Sequence, residues 1–380
     1  MQPLRIVIDV RHINDFGIGT YIRNLVKAIG ELDQFNRYLL AANYTDVPDI
    51  PSLPDNFETV LYHEPRRYQW DNAAYPWFLK RLAPDLIHLP LNNVPLLMRN
   101  PYVVTIHDMS SFLFDGRTGF RENLRLYRFR RGLLKADRVI AVSNATRRDV
   151  ENFLGIRPER IRLVYSAPDP NFLNYKPQTG SSLRLRERFQ IHYPYILYAG
   201  RIRPHKNIPR LIEAFAVVRG ELENHPKYRD LRLLIIGDEI NRNPEVRRAV
   251  AQTRTEQVVR FLGFVPFETL REFYANASAF AFPSLYEGFG LPPLEAMATG
   301  IPVVTSSVSS LPEVVGNAAM IVNPENVFDI ARGIREVITE EQLRSRLIAR
   351  GYEQVRQFSW RRTAEQTLEV YREVARRASS

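Results

Sequence analysis

Residues 282–300 read FPSLYEGFGLPPLEAMATG. An apolar, aromatic run over Ala279–Phe282 leads into this segment, Gly288 and Gly290 interrupt it, and an apolar stretch follows Pro292 and Pro293. Ser284 and Glu287 have capping-box spacing, yet two glycines directly after them make a helix start there costly. Proline fits a first helical turn, where its missing N–H has no partner. The helix is therefore expected over Pro293–Thr299, with Gly300 as its left-handed cap and Pro302 preventing continuation. Strand, glycine turn and helix make one βα unit.

The same unit recurs along the chain. Leu4–Val10, Tyr38–Ala42, Leu86–Leu89, Tyr102–Ile106 and Arg138–Val142 are strand-like and mostly apolar on both faces. Gly19–Leu32, Phe120–Leu134 and Ala145–Leu154 supply helices between them. The pattern restarts with strands at Tyr195–Tyr198, Leu231–Ile236, Val258–Leu262, Ala279–Phe282, Pro302–Thr305 and Ala319–Val322. Helices are expected there at Ile208–Arg219, Pro244–Gln252, Glu268–Ala275 and Val327–Ile338. Continuous apolar strands alternating with helices predict parallel sheets covered on both sides, here two doubly wound α/β domains. The predicted domains are 1–170 and 183–358, and Ser166–Ser182, rich in Pro, Asn, Ser and Gly, is the expected linker. A ligand site is expected at the carboxyl ends of the strands, in the cleft between the domains.

Composition narrows the function. The 380 residues are 45% apolar and 25% charged, the balance of a globular protein. Cysteine is absent, which excludes a disulfide framework, a thiolate metal site and a cysteine nucleophile. No run approaches the length of a spanning helix and the first strand begins at Leu4, so a cytoplasmic protein is expected, peripheral at most on the membrane. The net charge is +10, and residues 1–190 hold 27 Lys and Arg against 20 Asp and Glu. Arg117–Arg148 contains ten basic residues and two acidic ones, Glu122 and Asp137. Such a run suits an anionic partner and equally a solvated helix face. Its basic residues alternate with Phe120, Leu124, Leu126, Phe129, Leu133 and Leu134, so one face is expected to be buried.

Four segments carry candidate chemistry. At 282–300 a glycine turn opens a helix, which points N–H groups and a positive dipole end at an anion. Glu287 precedes that turn and Glu295 falls in the first helical turn, where both carboxylates can accept hydrogen bonds from sugar hydroxyls; Glu295 alone also fits simple dipole stabilisation. In AGRIRPHKN (199–207), Arg201 and Lys206 follow the first strand of the second domain, and Asn207 is expected to N-cap the next helix. Arg offers a planar fork for phosphate oxygens and Lys a point charge. In DFGIGTY (15–21), Gly17 and Gly19 allow close backbone approach, but Ile22 stands where a dinucleotide fingerprint needs glycine. In TIHD (105–108), His107 can reach a hydroxyl or leaving group from a strand end, or pair structurally with Asp108.

Together these segments resemble glycosyltransferase family 4, the retaining nucleotide-sugar enzymes of GT-B fold, with two Rossmann-like domains and a deep interdomain cleft. The resemblance spans nearly the whole chain: the E-x7-E motif Glu287–Glu295 within YEGFGLPPLEAMATGIPVV, AGRIRPHKN, GIGTY, TIHD, RVIAVSNATRRDV and FSWRRTAEQTLEVY. It implies that Arg201 and Lys206 hold the donor diphosphate, Glu295 the ribose hydroxyls and Glu287 a hydroxyl of the donor sugar. Backbone amides of Gly288, Phe289, Gly290 and Leu291 would contact sugar and phosphate. His107 would lie by the sugar ring, Gly17 and Gly19 beside the diphosphate, and the base around Gly237–Asp238 and Gly263–Val265, which includes Phe264 and Val265. The last helix, Trp360–Ala378, would pack back on the first domain. One departure is YSAPDPNF after Val164, where many relatives have an Asn-Gly pair.

The function implied is metal-independent and cofactor-free transfer of a hexosyl group from a nucleotide-sugar to a saccharide or lipid-linked acceptor. No carboxylate is placed as a nucleophile, which favours same-face attack. GIGTY and TIHD are similar to the mannosyltransferase branch, tilting the donor to GDP-mannose and the role to polysaccharide assembly. A nucleotide-sugar epimerase or phosphorylase on the same fold is the alternative enzyme reading. A nucleic-acid-binding protein is disfavoured, because no recognition motif accompanies the basic run, and an anionic membrane surface is its preferred partner.

Overall fold

A computed structural model describes residues 2–15, 17–63, 71–99, 101–114, 119–173, 175, 180–237 and 243–378. The chain divides into two compact units, Met1–Ala167 with Phe358–Ser380, and Pro168–Gln357. Unit 1 is built on seven parallel strands: β1 (Arg5–Asp9), β2 (Arg37–Ala42), β3 (Phe57–Leu61), β4 (Leu86–Leu89), β5 (Tyr102–Ile106), β6 (Arg138–Ala141) and β7 (Ile161–Leu163). Their order is β3-β2-β1-β4-β5-β6-β7. β1, β4, β5 and β6 are buried nearly throughout, as continuous apolar strands require. β3 and β7 lie at the edges, and β3 reads FETVL with three of its five residues exposed and none buried, which is why no apolar run marks it in the sequence.

Unit 2 holds six parallel strands: β8 (Tyr195–Gly200), β9 (Arg232–Gly237), β10 (Val259–Gly263), β11 (Ala279–Phe282), β12 (Val303–Ser306) and β13 (Met320–Val322). Their order is β10-β9-β8-β11-β12-β13. The order reverses between β1 and β4 in unit 1 and between β8 and β11 in unit 2. In open α/β sheets those switch points are where loops diverge and leave a crevice. The loops after β8 and β11 are 201–207 and 283–290, the two segments with the most chemistry in the sequence. Helices Ile208–Glu221 and Leu291–Ala298 follow them directly. The latter begins two residues before Pro293, because Gly290 takes the left-handed conformation at the N-cap (φ 108°) and the prolines fall inside the first turn.

Within the segment read as a linker, the described stretch Pro168–Leu173 belongs to unit 2. Phe172 is fully buried there, edge-on to Tyr274 at 5.5 Å and to Phe267 at 5.0 Å. A proline-rich composition signals missing periodicity, and one aromatic anchor is enough to dock such a stretch.

The last helix, Trp360–Ala378, lies in unit 1 and packs against the helix Ile18–Leu32. Thr363 donates to the Tyr165 carbonyl at 2.7 Å, and the Tyr371 hydroxyl meets His88 Nδ1 at 2.6 Å. Glu373 binds the guanidinium of Arg138 and that of Arg162, the latter at 2.6 and 3.0 Å. Arg138 is only 1% exposed, so this member of the basic run belongs to the interior and not to a charged surface. The two guanidinium groups hold the Glu373 carboxyl down at about 2. Among the described residues no helix is long and apolar enough to cross a membrane.

Removing Glu373 leaves the buried Arg138 guanidinium without its carboxylate, at a cost of about 1–3 kcal/mol. Glu373→Ala is expected to lower the melting temperature of the full chain far more than Glu365→Ala, an exposed i,i+4 pair with Arg361 on the same helix. Equal shifts for the two variants in a thermal melt would contradict the assignment.

Candidate active site

Unit 2 places its candidate residues around the ends of β8 and β11. Gly200 and Gly237 are register partners at the ends of β8 and β9, both with φ 146°. A Cβ on Gly237 would come within 2.0 Å of the Gly200 carbonyl oxygen, so this edge of the sheet tolerates no side chain at that position. The chain leaves β8 through exposed Arg201 and makes a single tight turn at Pro204–Lys206. Asn207 then adopts the left-handed conformation (φ 61°) at the N-cap position. Its side chain does not cap the helix, contrary to the sequence expectation. Left-handed backbone turns the amide away from the helix, and Nδ2 donates instead to the carbonyls of Pro283 (3.0 Å) and Pro324 (2.7 Å). With Leu285 N donating to the His205 carbonyl at 2.7 Å, the loop after β8 is stitched to the loop after β11.

The second loop is held from its other side by serines of 306–310. Ser306 Oγ donates to the Ser284 carbonyl (2.5 Å), and Ser309 and Ser310 Oγ both donate to the Glu287 carbonyl (2.6 and 2.9 Å). Ser310 also reaches the Phe289 carbonyl at 2.7 Å, and Glu287 N donates to Ser309 Oγ at 3.2 Å. Buried backbone that belongs to no helix or sheet must find such partners. The run SSVSS after an apolar strand is the sequence signal for these serines, but nothing in its spacing says which carbonyls it serves.

Held in this way, Glu287 is buried and chelates Lys206: Nζ lies 2.6 Å from Oε1 and 2.7 Å from Oε2. The ammonium also sits 5.4 Å from the Phe282 ring centroid. Two residues 81 apart in sequence thus form one charged unit between the two loops. Gly290 (φ 108°) starts the following helix, where a Cβ would press on the Leu311 side chain at 2.8 Å. Glu295, in that helix, accepts a hydrogen bond from the Tyr274 hydroxyl at 3.2 Å. Burial pushes its carboxyl up to about 7, against the smaller opposing effect of that hydrogen bond, and Asp169 adds to the rise. Of the residues expected around the base, Val265 is buried, Phe264 is 72% exposed and Gly263 has φ 64°. Asp238 lies outside the described residues.

In unit 1, His107 follows β5. Its Nε2 is 3.1 Å from the Pro90 carbonyl, its backbone N–H donates to Asn92 Oδ1 at 3.0 Å, and the Tyr21 ring meets it edge-on at 4.7 Å. The alternative of a structural pair with Asp108 does not hold, since Asp108 Oδ1 accepts from the backbone and hydroxyl of Ser110. Desolvation lowers the imidazole to about 4, so it is neutral near pH 7. With Nε2–H donating to Pro90, Nδ1 is left as an acceptor. Tyr21 continues through Thr105 to His88, which bridges Thr105 (2.8 Å) and Tyr371 (2.6 Å). Gly19 has a reason of its own: a Cβ there would strike the Ile13 carbonyl at 2.1 Å, whereas Gly17 (φ 61°) faces open space. Among the described residues no three His, Asp or Glu side chains converge as metal ligands.

Comparison with known proteins follows the same division. A family model described as glycosyl transferases group 1 matches residues 184–354, and one described as glycosyltransferase family 4 matches residues 17–172. An O-antigen chain mannosyltransferase B of Escherichia coli is 29% identical over 376 residues, covering 94% of this chain and 96% of that protein. The serotype-specific mannosyltransferase WbdA of the same species is 31% identical over 323 residues, 79% of this chain but 38% of WbdA. The chain therefore spans well under half of that relative. Among solved structures, Anabaena Alr3699/HepE in complex with UDP and glucose superposes with a TM-score of 0.76 at 20% identity, covering 97% of this chain and 100% of that one. The lipopolysaccharide glycosyltransferase WaaG does so with 0.71 at 15% identity, over 96% and 99%.

Glu295 generates a pH prediction. An unfolded carboxyl releases its proton near 4.5 while the folded one keeps it until about 7, so the folded state loses stability as pH rises between those values and then levels off. Glu295→Gln carries no such cost. The stability difference between variant and wild type should open by about 1–3 kcal/mol from pH 4.5 to pH 8 in denaturant titrations. A difference that stays constant with pH would contradict the raised carboxyl.

Proposed function

The chain belongs to glycosyltransferase family 4 and is a hexosyltransferase of GT-B fold, and from that premise we propose that it retains the donor's anomeric configuration and requires no metal or other cofactor. The favoured donor is GDP-mannose and the acceptor a saccharide or lipid-linked saccharide, in line with the mannosyltransferase names of the two E. coli relatives. The observation that carries the reading is the Lys206–Glu287 unit pinned between the loops after β8 and β11.

Breaking the sugar–phosphate bond builds negative charge on the departing diphosphate and positive charge on the anomeric carbon. Stabilisation is strongest when the compensating groups are already fixed where the charge develops. Lys206 is such a group, with Arg201 on the same loop and the start of the helix Leu291–Ala298 beyond Gly288–Gly290. When the donor enters, Lys206 turns part of its charge to the phosphate, and Glu287 gains a sugar hydroxyl as a second partner. Glu295 takes the ribose hydroxyls, and Gly237, Phe264 and Val265 border the base. His107 has a neutral Nδ1 that suits a sugar hydroxyl, and Gly17 and Gly19 are the unit 1 glycines assigned to the donor diphosphate. The acceptor attacks from the face the diphosphate leaves, and a diphosphate oxygen takes its proton, so no nucleophilic carboxylate is needed. Exposed Arg131, Lys135, Arg147 and Arg148 suit attraction to an anionic membrane surface on the cytoplasmic side.

Calorimetric titration of the full chain with GDP, UDP and ADP, in the presence of EDTA, tests the reading. Tight binding of GDP is expected, weakened about tenfold or more by Lys206→Ala and by Glu295→Ala, as befits loss of a charge-assisted hydrogen bond. Absence of binding by all three nucleotides to folded wild-type protein would falsify the donor site.

A further inference from the structure

Unit 1 contains a cavity, lined by both cationic and apolar side chains, that the donor chemistry does not use. Its volume is about 570 Å3. It opens where the strand order of unit 1 reverses, between the loops after β1 (Arg11, His12) and β4 (Leu91–Pro95), with the helix Phe120–Lys135 as its other wall. That is the crevice an open α/β sheet reserves for ligands. The wall is tied to the end of β5 through Asn92, whose Oδ1 accepts from His107 N and whose Nδ2 donates to the Asp108 carbonyl at 2.8 Å.

The lining is strongly biased towards positive charge. Three arginines, Arg11, Arg125 and Arg128, face it, and Asp15 is the one carboxylate among the lining residues. Asp15 bonds His12 Nδ1 at 2.9 Å. Arg11 is committed to Asp9 at 3.0 Å and stacks 3.4 Å above the Tyr75 ring centroid. Arg125 donates to the Ser111 carbonyl at 3.0 Å and lies over the Phe112 ring, contacts that aim its guanidinium. Arg128, one turn further along the same helix, is exposed and has no hydrogen-bonding or carboxylate partner among the described residues. Like charges three positions apart on a helix repel, and an anion between them removes that cost. Phe112 and Phe129 stack at 5.2 Å and 14°, giving the cavity an apolar wall beside its cations. Exposed Asn93 adds a side-chain amide that suits hydroxyls.

We propose that this cavity binds the acceptor through a phosphate group, with Arg128 as a direct phosphate ligand and Arg125 beside it. A guanidinium fork matches phosphate oxygens in two-point geometry, which an uncharged saccharide does not call for. The phosphate comes either from a soluble sugar phosphate or from a lipid headgroup. The inference rests on the hexosyltransferase reading for the word acceptor, while the phosphate site itself stands on the cavity.

The test uses the full chain with glucose 6-phosphate as the soluble probe, glucose as its neutral control, and phosphatidylglycerol against phosphatidylcholine vesicles as the lipid arm. Wild type, Arg128→Ala and Lys206→Ala are compared by calorimetry and by vesicle sedimentation, and GDP titration of each variant reports on unit 2. Binding of glucose 6-phosphate but not glucose, weakened about tenfold or more by Arg128→Ala and unchanged by Lys206→Ala, places a soluble phosphate in the cavity. Selective binding to phosphatidylglycerol vesicles alone, weakened likewise by Arg128→Ala, places a headgroup there. The proposal is overturned if neither probe binds wild type, if Arg128→Ala binds both as wild type does, or if the loss occurs in Lys206→Ala instead. Failure of GDP binding to wild type with an Arg128-dependent phosphate site intact would remove the donor reading and leave the cavity standing.

Discussion

The ion pair between Lys206 and Glu287 is the constraint around which unit 2 is arranged. An ammonium and a carboxylate withdrawn from water cost more than they return unless each is fixed by further contacts. Here the fixing is done by neutral groups. Asn207 and the His205 carbonyl join the two loops, and three serines hold the backbone around Glu287. Such a network keeps a charged pair poised in the loops beyond the carboxyl ends of β8 and β11. The cation is preorganised, and its partner is a group that can accept a sugar hydroxyl as readily as an ammonium.

The same economy of neutral supports recurs in unit 1. His107 is neutral, held by a proline carbonyl and an asparagine, and its aromatic neighbour Tyr21 leads through Thr105 and His88 to Tyr371 on the last helix. Glu373, two residues further on, fastens the same helix to β6 and β7 through Arg138 and Arg162. The C-terminal helix therefore supports the strand ends that carry His107, which gives a physical reason for the last helix to lie in the first unit.

Much of the fold was legible because parallel strands buried on both faces leave uninterrupted apolar runs. β8 to β13 all fall within the runs read from the sequence, give or take a residue or two at the ends. β3 and β7 were not legible, since an edge strand such as FETVL faces solvent on one side and loses that signature. The helix Asp71–Arg81 escaped for another reason, because Pro76 lies inside it. At the site, the residue types and loop positions were readable, but their partners were not. Nothing in AGRIRPHKN says that Asn207 abandons its helix to hold Pro283 and Pro324, or that Lys206 meets a carboxylate 81 positions away. Long-range hydrogen bonds leave no periodicity. The cavity of unit 1 was invisible for the same reason, although the basic run that lines one wall of it was plain.

We propose that Lys206, held by Glu287, is the cation that recognises a diphosphate. The most direct measurement compares the affinities of guanosine and GDP for wild type and for Lys206→Ala. In wild type the diphosphate should add about a hundredfold or more, the worth of one or two charge-assisted contacts, and Lys206→Ala should remove most of that advantage while leaving guanosine binding as it was. Equal affinity for nucleoside and diphosphate, or an advantage that survives the loss of Lys206, would contradict it.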